Sequence, residues 1–400
     1  MLQTPETSAE DQKGLGAWLI VALATACGIT VANLYYAQPL IGPISESFGI
    51  GLSSAGLIVS VLQLGYVLGL LLLAPLGDFF ENKSVILLTL CGVVASLLVS
   101  IAASNAVIFI AASFLLGAAT VATQMIVPLA AHMSPERIRG RSVGTVMSGL
   151  LIGILMARPV STLIGGEFGW RVMYLISAAV MCALILLMAL TIPRRRPEHT
   201  LTYFTLLRSL LEILVTTPVL RRRGTYQAFF FGLFTMFWTG IPVVLQAPPF
   251  SLGHFALSAF MLSGVSGAFI APLAGHLADR RHGRAMTATA ILLAGASFAL
   301  TWLGGDGNIW LLVIAGILLD AACQTHFVTG QRAIYTLSAP IRSRLNALYL
   351  SFAFLGGILG SGVSSFAISR GGVALFCATG IGAALVVMLL FVRDEISRTA

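Results

Sequence analysis

Apolar stretches of about twenty residues alternate with short polar breaks twelve times along this chain, in two sets of six. The first set centres near Gly28, Gly65, Val93, Ala118, Ile154 and Met181, and the second near Leu233, Gly267, Leu293, Leu319, Phe354 and Ala383. A helix of that length spans about 30 Å of hydrocarbon. The pattern therefore predicts an all-α membrane protein of twelve transmembrane helices in two pseudo-symmetric six-helix bundles. Twelve spans and their short loops use almost all 400 residues and leave no room for a soluble catalytic domain. The polar breaks divide the chain into a tail (1–16), a first bundle (17–192), a basic linker (193–223), a second bundle (224–392) and a tail (393–400).

The second set repeats landmarks of the first. Ala74-Pro75-Leu76-Gly77-Asp78 closes the second span, and Gly275-His276-Leu277-Ala278-Asp279 closes the eighth. Ile138-Arg139-Gly140-Arg141 precedes the fifth span, and Ile341-Arg342-Ser343-Arg344 precedes the eleventh. Gly153-Ile154-Leu155 matches Gly357-Ile358-Leu359, so equivalent features recur at offsets of 201 to 204 residues. Parallel repeats of this kind place a solute site near mid-membrane, between the halves. Small residues also recur at every fourth position: Gly65 and Gly69; Gly149, Gly153, Ala157 and Ser161; Ser263, Gly267, Ala271 and Gly275; Gly356, Gly360 and Ser364. Such ridges let helix backbones approach closely in lipid. Their recurrence on spans 2, 5, 8 and 11 leads us to expect an interface that slides between the halves.

Composition agrees with lipid as the solvent. Hydrophobic residues make up 58% and charged residues 10% of the chain, with a mean hydropathy of +0.95; soluble domains carry roughly 25% charged residues. The net charge of +8 is distributed in a way that points to orientation rather than nucleic acid. Arginine and lysine crowd one set of loops (Lys83, Arg137 to Arg141, Arg194 to Arg196, Arg221 to Arg223, Arg280 to Arg284, Arg342, Arg344), whereas the other set holds only Arg171 and Arg370. This positive-inside bias places both termini in the cytoplasm, and the expected location is a bacterial inner membrane. The polar start has no basic n-region, so the first span is read as an uncleaved anchor. The linker holds an amphipathic stretch, Tyr203 to Val215, expected to lie at the membrane surface with its arginines at anionic headgroups. All five cysteines fall inside spans without paired spacing and read as small apolar residues; no metal or cofactor is expected.

Gly275-His276-Leu277-Ala278-Asp279-Arg280-Arg281-His282-Gly283-Arg284 resembles the loop signature of the major facilitator superfamily, Gly-x-Leu-Ala-Asp-Arg-x-Gly-Arg-Arg/Lys, with one extra residue before its glycine. The first-half copy keeps Asp78 and Lys83, but Phe79, Glu81 and Asn82 replace the usual Arg, Gly and Arg. With topology, length and central loop, the resemblance covers nearly the whole chain. It implies a conformational latch at Asp78, Lys83, Asp279, Arg280 and Arg284, where loop carboxylates meet arginines and helix ends; the plain alternative is a solvated basic loop. Gly144 and Gly153 resemble the Gly-rich signature of the family's antiporters, and Asn33-Leu34-Tyr35-Tyr36-Ala37-Gln38-Pro39-Leu40 adds a likeness to a bacterial twelve-helix efflux branch close to drug:proton antiporters. The later glycines of the antiporter signature are replaced by Met156-Ala157-Arg158-Pro159, which leaves direction open.

Two strong charges lie deep in the spans: Arg158 on the fifth and Asp320 on the tenth. Each costs at least roughly 2.5–3.5 kcal/mol to insert, so each needs a partner or a wet cavity. Asp320 is the candidate proton-responsive carboxylate, with Arg158 as its charge partner or the ligand of an anionic solute group; a static ion pair is the alternative. His326, on another face of the tenth span, is a candidate relay or a packing histidine. Polar stripes on the spans that line the central cavity in the family nominate a solute site. They comprise Thr30, Asn33 and Tyr36; Thr120, Thr123 and Gln124; Thr235 and Trp238; and Gln324 and Gln331. Interhelical hydrogen bonds are their structural alternative.

The resulting expectation is a monomeric secondary transporter that moves a small solute by alternating access, with protons as coupling ion, exporting drugs or metabolites. Import of a small nutrient is the alternative. An intramembrane enzyme would need a catalytic set such as HExxH or paired aspartates, and none is present. No GxxxxGK[ST] loop offers ATP drive, and no arginine series suggests a voltage sensor.

Overall fold

The computed structural model describes residues 17–194, 202–265, 283–338 and 341–399, and every described element is helical. In order they are α1 (Ala17–Ala32), α2 (Ile41–Ser47), α3 (Leu52–Gly77), α4 (Asn82–Ala102), α5 (Ala106–Met133), α6 (Arg139–Phe168) and α7 (Trp170–Thr191). The linker helix α8 (Tyr203–Thr216) leads to α9 (Pro218–Gln246), α10 (His254–Val265), α11 (Gly283–Gly304) and α12 (Ile309–Tyr335). The last helical segment, Arg342–Thr399, leaves helical geometry at Gly371 and Gly372, which separate α13 (342–370) from α14 (373–399). Among the described residues nine helices are long and apolar enough to cross a membrane, counting that broken segment once.

Buried apolar side chains collect in two large cores, one drawn from residues between Ala22 and Ile192 together with Phe354 of α13, the other from residues between Tyr226 and Val387. Two glycines turn the chain at matching places. Gly169 (φ 90°) joins α6 to α7, and Gly372 (φ 58°) joins α13 to α14. Side chains avoid this left-handed region, so glycine lets one span reverse directly into the next.

Side-chain contacts sort the helix ends onto two faces. On one, Tyr203 Oη donates to the carbonyl of Leu72 at 2.7 Å, and Arg194 pairs with Glu81 at 3.7 Å. On the same face Arg344 donates to Ser209 Oγ at 2.8 Å and Arg284 pairs with Glu395 at 3.0 Å. We call this the basic face. On the far face, Trp170 Nε1 donates to Ser47 Oγ at 2.9 Å and Arg171 Nε to the carbonyl of Ile101 at 3.2 Å. The linker helix α8 is capped by Thr202, whose hydroxyl accepts from the Thr205 N–H. It buries Leu206, and packs Leu210 and Ile213 with Leu220, Ile334, Leu345 and Tyr349, while Phe204, Leu211 and Val215 stay exposed.

Among the described residues, the ridge glycines of α3, α6 and α13 pack within one set of helices and not between the sets, contrary to the expectation from their recurrence. A Cβ on Gly149 or Gly153 would run into the backbone of Ala24 or Gly28, which joins α6 to α1. Gly65 and Gly69 sit against Phe114 and Ala118, joining α3 to α5; Gly356 and Gly360 sit against Ala228 and Gly232, joining α13 to α9. Each joint is internal to one set of helices, and the α1–α6 joint reappears as α9–α13. Recurrence reflected the repeat itself: each set needs the same tight crossing. Gly267 and Gly275 lie outside the described residues. Polar contacts between the sets run elsewhere, towards the far face. The Ser60 hydroxyl lies 2.8 Å from the carbonyl of Ile358 and 2.7 Å from Ser361 Oγ, and Ser258 Oγ donates to the carbonyl of Pro159 at 2.8 Å.

Gly356→Ala should therefore cost at least about 1–3 kcal/mol through backbone overlap. Gly144→Ala, with nothing within 4 Å of its added methyl, should stay within about 0.5 kcal/mol. Thermal unfolding of the two detergent-solubilised variants measures the contrast.

Candidate functional site

The centre of the junction between the two sets is built around Arg158. It lies on α6 immediately before Pro159, which lacks the N–H that an α-helix would offer to Leu155. The buried carbonyl of Pro159 accepts from Ser258 of α10, while Thr162 Oγ1 donates to the carbonyl of Arg158 at 2.8 Å. The Ser258 bond ties α6 to α10 next to Arg158.

That side chain is 1% exposed. Its Nε donates to Gln38 Oε1 at 2.8 Å. Its guanidinium carbon lies 5.0 Å from the ring centre of Tyr35, 4.8 Å from Phe234 and 5.1 Å from Trp238. Such cation–π contacts are worth about 2 kcal/mol when desolvated. Nη2 has no hydrogen-bond partner, and neither does the amide nitrogen of Gln38, which is fully buried.

Asp320, 3% exposed on α12, does not pair with Arg158 directly: no N–O distance between them falls within 4.0 Å. Trp238 stands between them. Its indole N–H donates to Asp320 Oδ1 at 2.9 Å, and the same ring system receives the guanidinium. The ion pair contemplated from the sequence is replaced by a charge–π–carboxylate bridge. Gly264 of α10 closes the other side, since a Cβ there would meet both Trp238 and the second oxygen of Asp320.

The remaining candidates divide between the junction and local structure. Thr30, Thr235 and Thr239 are fully buried with unpartnered hydroxyls. Asn33 is spent on structure: its nitrogen donates to the carbonyls of Ile29 and Thr30, and its oxygen accepts from Ser177 at 2.7 Å. Tyr36 is half-buried beside a groove of about 500 Å³ between α1 and α6. Thr120 and Thr123 donate to carbonyls of their own helix, and Gln124 donates to Tyr66 Oη at 3.1 Å. Gln324 is half-buried on α12. Gln331 bonds Tyr335 and Asn346 near the basic face, each at 3.1 Å. His326 stands inside the second core, its Nδ1 2.8 Å from Gln227 Oε1 and its ring stacked 4.6 Å from Phe230; Nε2 is unpartnered.

Of the latch residues, Asp279 and Arg280 lie outside the described residues. Asp78 ends the turn Ala74–Asp78, Lys83 opens α4, and Arg284 pairs with Glu395 of α14. Among the described residues no cluster of His, Cys, Asp and Glu could hold a metal ion.

Tyr35, Gln38 and Phe234 are the site residues that the sequence reading did not select. Two signals were available. Gln38 is an amide placed among apolar residues beside Pro39, and Phe234 precedes Trp238 by one helical turn on the same face.

The chain matches the Major Facilitator Superfamily over residues 19–307 and again over 227–400. It belongs to that superfamily. The two overlapping matches cover most of the chain between them. The uncharacterized transporter YgaY of Escherichia coli O157:H7 is 36% identical over 375 residues, covering 94% of this chain and 95% of its own. The crystal structure of a point mutant of the nucleoside transporter NupG superposes with a TM-score of 0.77 at 17% identity, covering 94% of this chain and 99% of that one. That of a D-xylose-proton symporter gives 0.70 at 16% identity, over 92% and 97%. At these identities the structures share the fold. This superfamily member is a multi-pass membrane transporter.

Trp238→Phe keeps a ring for Arg158 and removes the N–H from Asp320. It should cost about 1–3 kcal/mol, because a buried acceptor loses its donor. Adding Asp320→Asn should recover part of the loss. A double-mutant cycle in thermal stability reads the coupling.

Proposed function

We propose that this superfamily member is a proton-coupled secondary transporter with twelve spans in two six-helix halves, 17–192 and 224–392, which exports a small solute by alternating access. The basic face is cytoplasmic, as the arginine distribution supports, and the protein works as a monomer in a bacterial inner membrane. Asp320 carries the coupling proton, Arg158 meets the solute, and Trp238 transmits the state of one to the other.

The observation that carries this reading is the Trp238 bridge. A carboxylate of the second half and a guanidinium of the first half contact opposite parts of one indole, both of them buried. Protonating Asp320 would weaken the charge-assisted bond from the indole. That would free the ring on which Arg158 rests. A proton can thereby alter the junction without touching Arg158. Import of a small nutrient is the alternative direction, since the Gly144/Gly153 spacing is only part of the antiporter signature and Gly153 also serves the α1–α6 joint.

In proteoliposomes with an imposed proton gradient, solute addition should move protons, as read by an internal pH-sensitive dye. Asp320→Asn should abolish that signal while the protein remains folded and membrane-inserted; unchanged coupling in this variant would remove Asp320 from the mechanism. Alternating access gives a second expectation. A Ser60→Cys/Ser361→Cys pair, placed where the native hydroxyls lie 2.7 Å apart, should arrest flux on oxidation and restore it on reduction. Undiminished flux through the oxidised pair would contradict opening at that position.

A further inference from the structure

We propose that the solute is a small monocarboxylate, bound through Arg158 Nη2 and the amide nitrogen of Gln38; this rests on the junction being the solute site. Arg158 is a buried cation without a carboxylate in contact. Asp320 acts on it only through space, with no N–O distance within 4.0 Å, and its Nε hydrogen bond goes to a neutral amide oxygen. Aromatic faces lower the cost of burial but do not remove it, since a buried charge is stable only when paired and hydrogen-bonded.

Two buried donors are left over, and they are linked through one contact. Gln38 turns its oxygen to Arg158 Nε, which leaves its own nitrogen unpartnered, and Arg158 keeps Nη2 unpartnered. Both side chains are essentially inaccessible, at 0% and 1% exposure. Two donors match the two oxygens of a carboxylate, which also supplies the missing negative charge through charge-assisted bonds. A neutral polyol could satisfy the donors but would leave the guanidinium uncompensated. An organic cation would bring like charge into an enclosure whose π faces already hold Arg158. A phosphate monoester dianion would bring more charge than one guanidinium neutralises.

The walls define the rest of the solute. Tyr35, Phe234 and Trp238 surround the guanidinium, so an apolar or aromatic body behind the carboxylate suits the site better than a hydroxylated one.

The test uses the full-length protein in detergent and three probes of one shape: phenylacetate, phenylacetamide and phenethylamine. Thermal shift against concentration up to about 10 mM should show binding of phenylacetate alone. Arg158→Gln should weaken it by about 10- to 100-fold. Because Arg158→Gln risks misfolding, Gln38→Glu is the decisive variant: it supplies the missing carboxylate from within the protein. It should raise the unfolding temperature of the empty protein and abolish the phenylacetate shift. Equal or better binding of the amide or the amine, no phenylacetate shift, or an unchanged shift in Gln38→Glu would overturn the assignment. Flux measurements separate it from the transport reading. Phenylacetate binding with no flux of any probe would sink transport and leave the carboxylate site standing, whereas flux of the amine with phenylacetate inert would do the reverse.

Discussion

The arrangement at the centre of this protein follows from the need to keep one guanidinium out of water. An arginine side chain holds its proton at any working pH, so the surroundings of Arg158 must accommodate the charge. They do so with three aromatic faces and one amide oxygen instead of a carboxylate. Two of those rings, Phe234 and Trp238, belong to α9 in the other half of the chain. The packing of the first set of helices against the second at this level is therefore the solvation shell of a charge. Trp238 is shared with Asp320, so one indole touches both buried charged groups.

Much of the architecture was legible in the sequence because membrane insertion imposes simple rules. Span length, small-residue ridges and the one-sided placement of arginine each follow from lipid as solvent. Arg158 and Asp320 stood out for the same reason: a charge among apolar residues is conspicuous. What spacing could not supply was the neighbour. A ridge such as Gly356 and Gly360 specifies close approach but not the partner, and the partner proved to be α9 within the same half. Asn33 and Gln124 were equally eligible for a cavity or for interhelical bonds, and the structure gives them bonds to Ser177 and Tyr66. In the sequence, Trp238 is one member of a polar stripe with Thr235. Its role as a bridge needed the positions of two other helices, which helical periodicity does not encode.

The linker shows how one segment can serve two surroundings. One face of α8 is buried against the basic-face ends of α12 and α13, and Tyr203 reaches the last turns of α3. Its other face leaves Phe204, Leu211 and Val215 uncovered, a pattern suited to a helix lying in the headgroup region. Sequence amphipathicity pointed to the membrane surface; the structure adds that the same helix ties the basic-face ends of both halves together.

The polar contacts on the far side are made by serine hydroxyls: Ser60 with the carbonyl of Ile358 and the hydroxyl of Ser361, and Ser258 with the carbonyl of Pro159. Such a closure is wettable. Separating an apolar seam exposes hydrocarbon to water and costs free energy in proportion to area. A serine that leaves a carbonyl finds water in its place, and the net value of each bond is only about 1 kcal/mol. The polar part of this seam thus offers water the same bonds it makes within the protein, while Phe354 against Tyr66 supplies its apolar part.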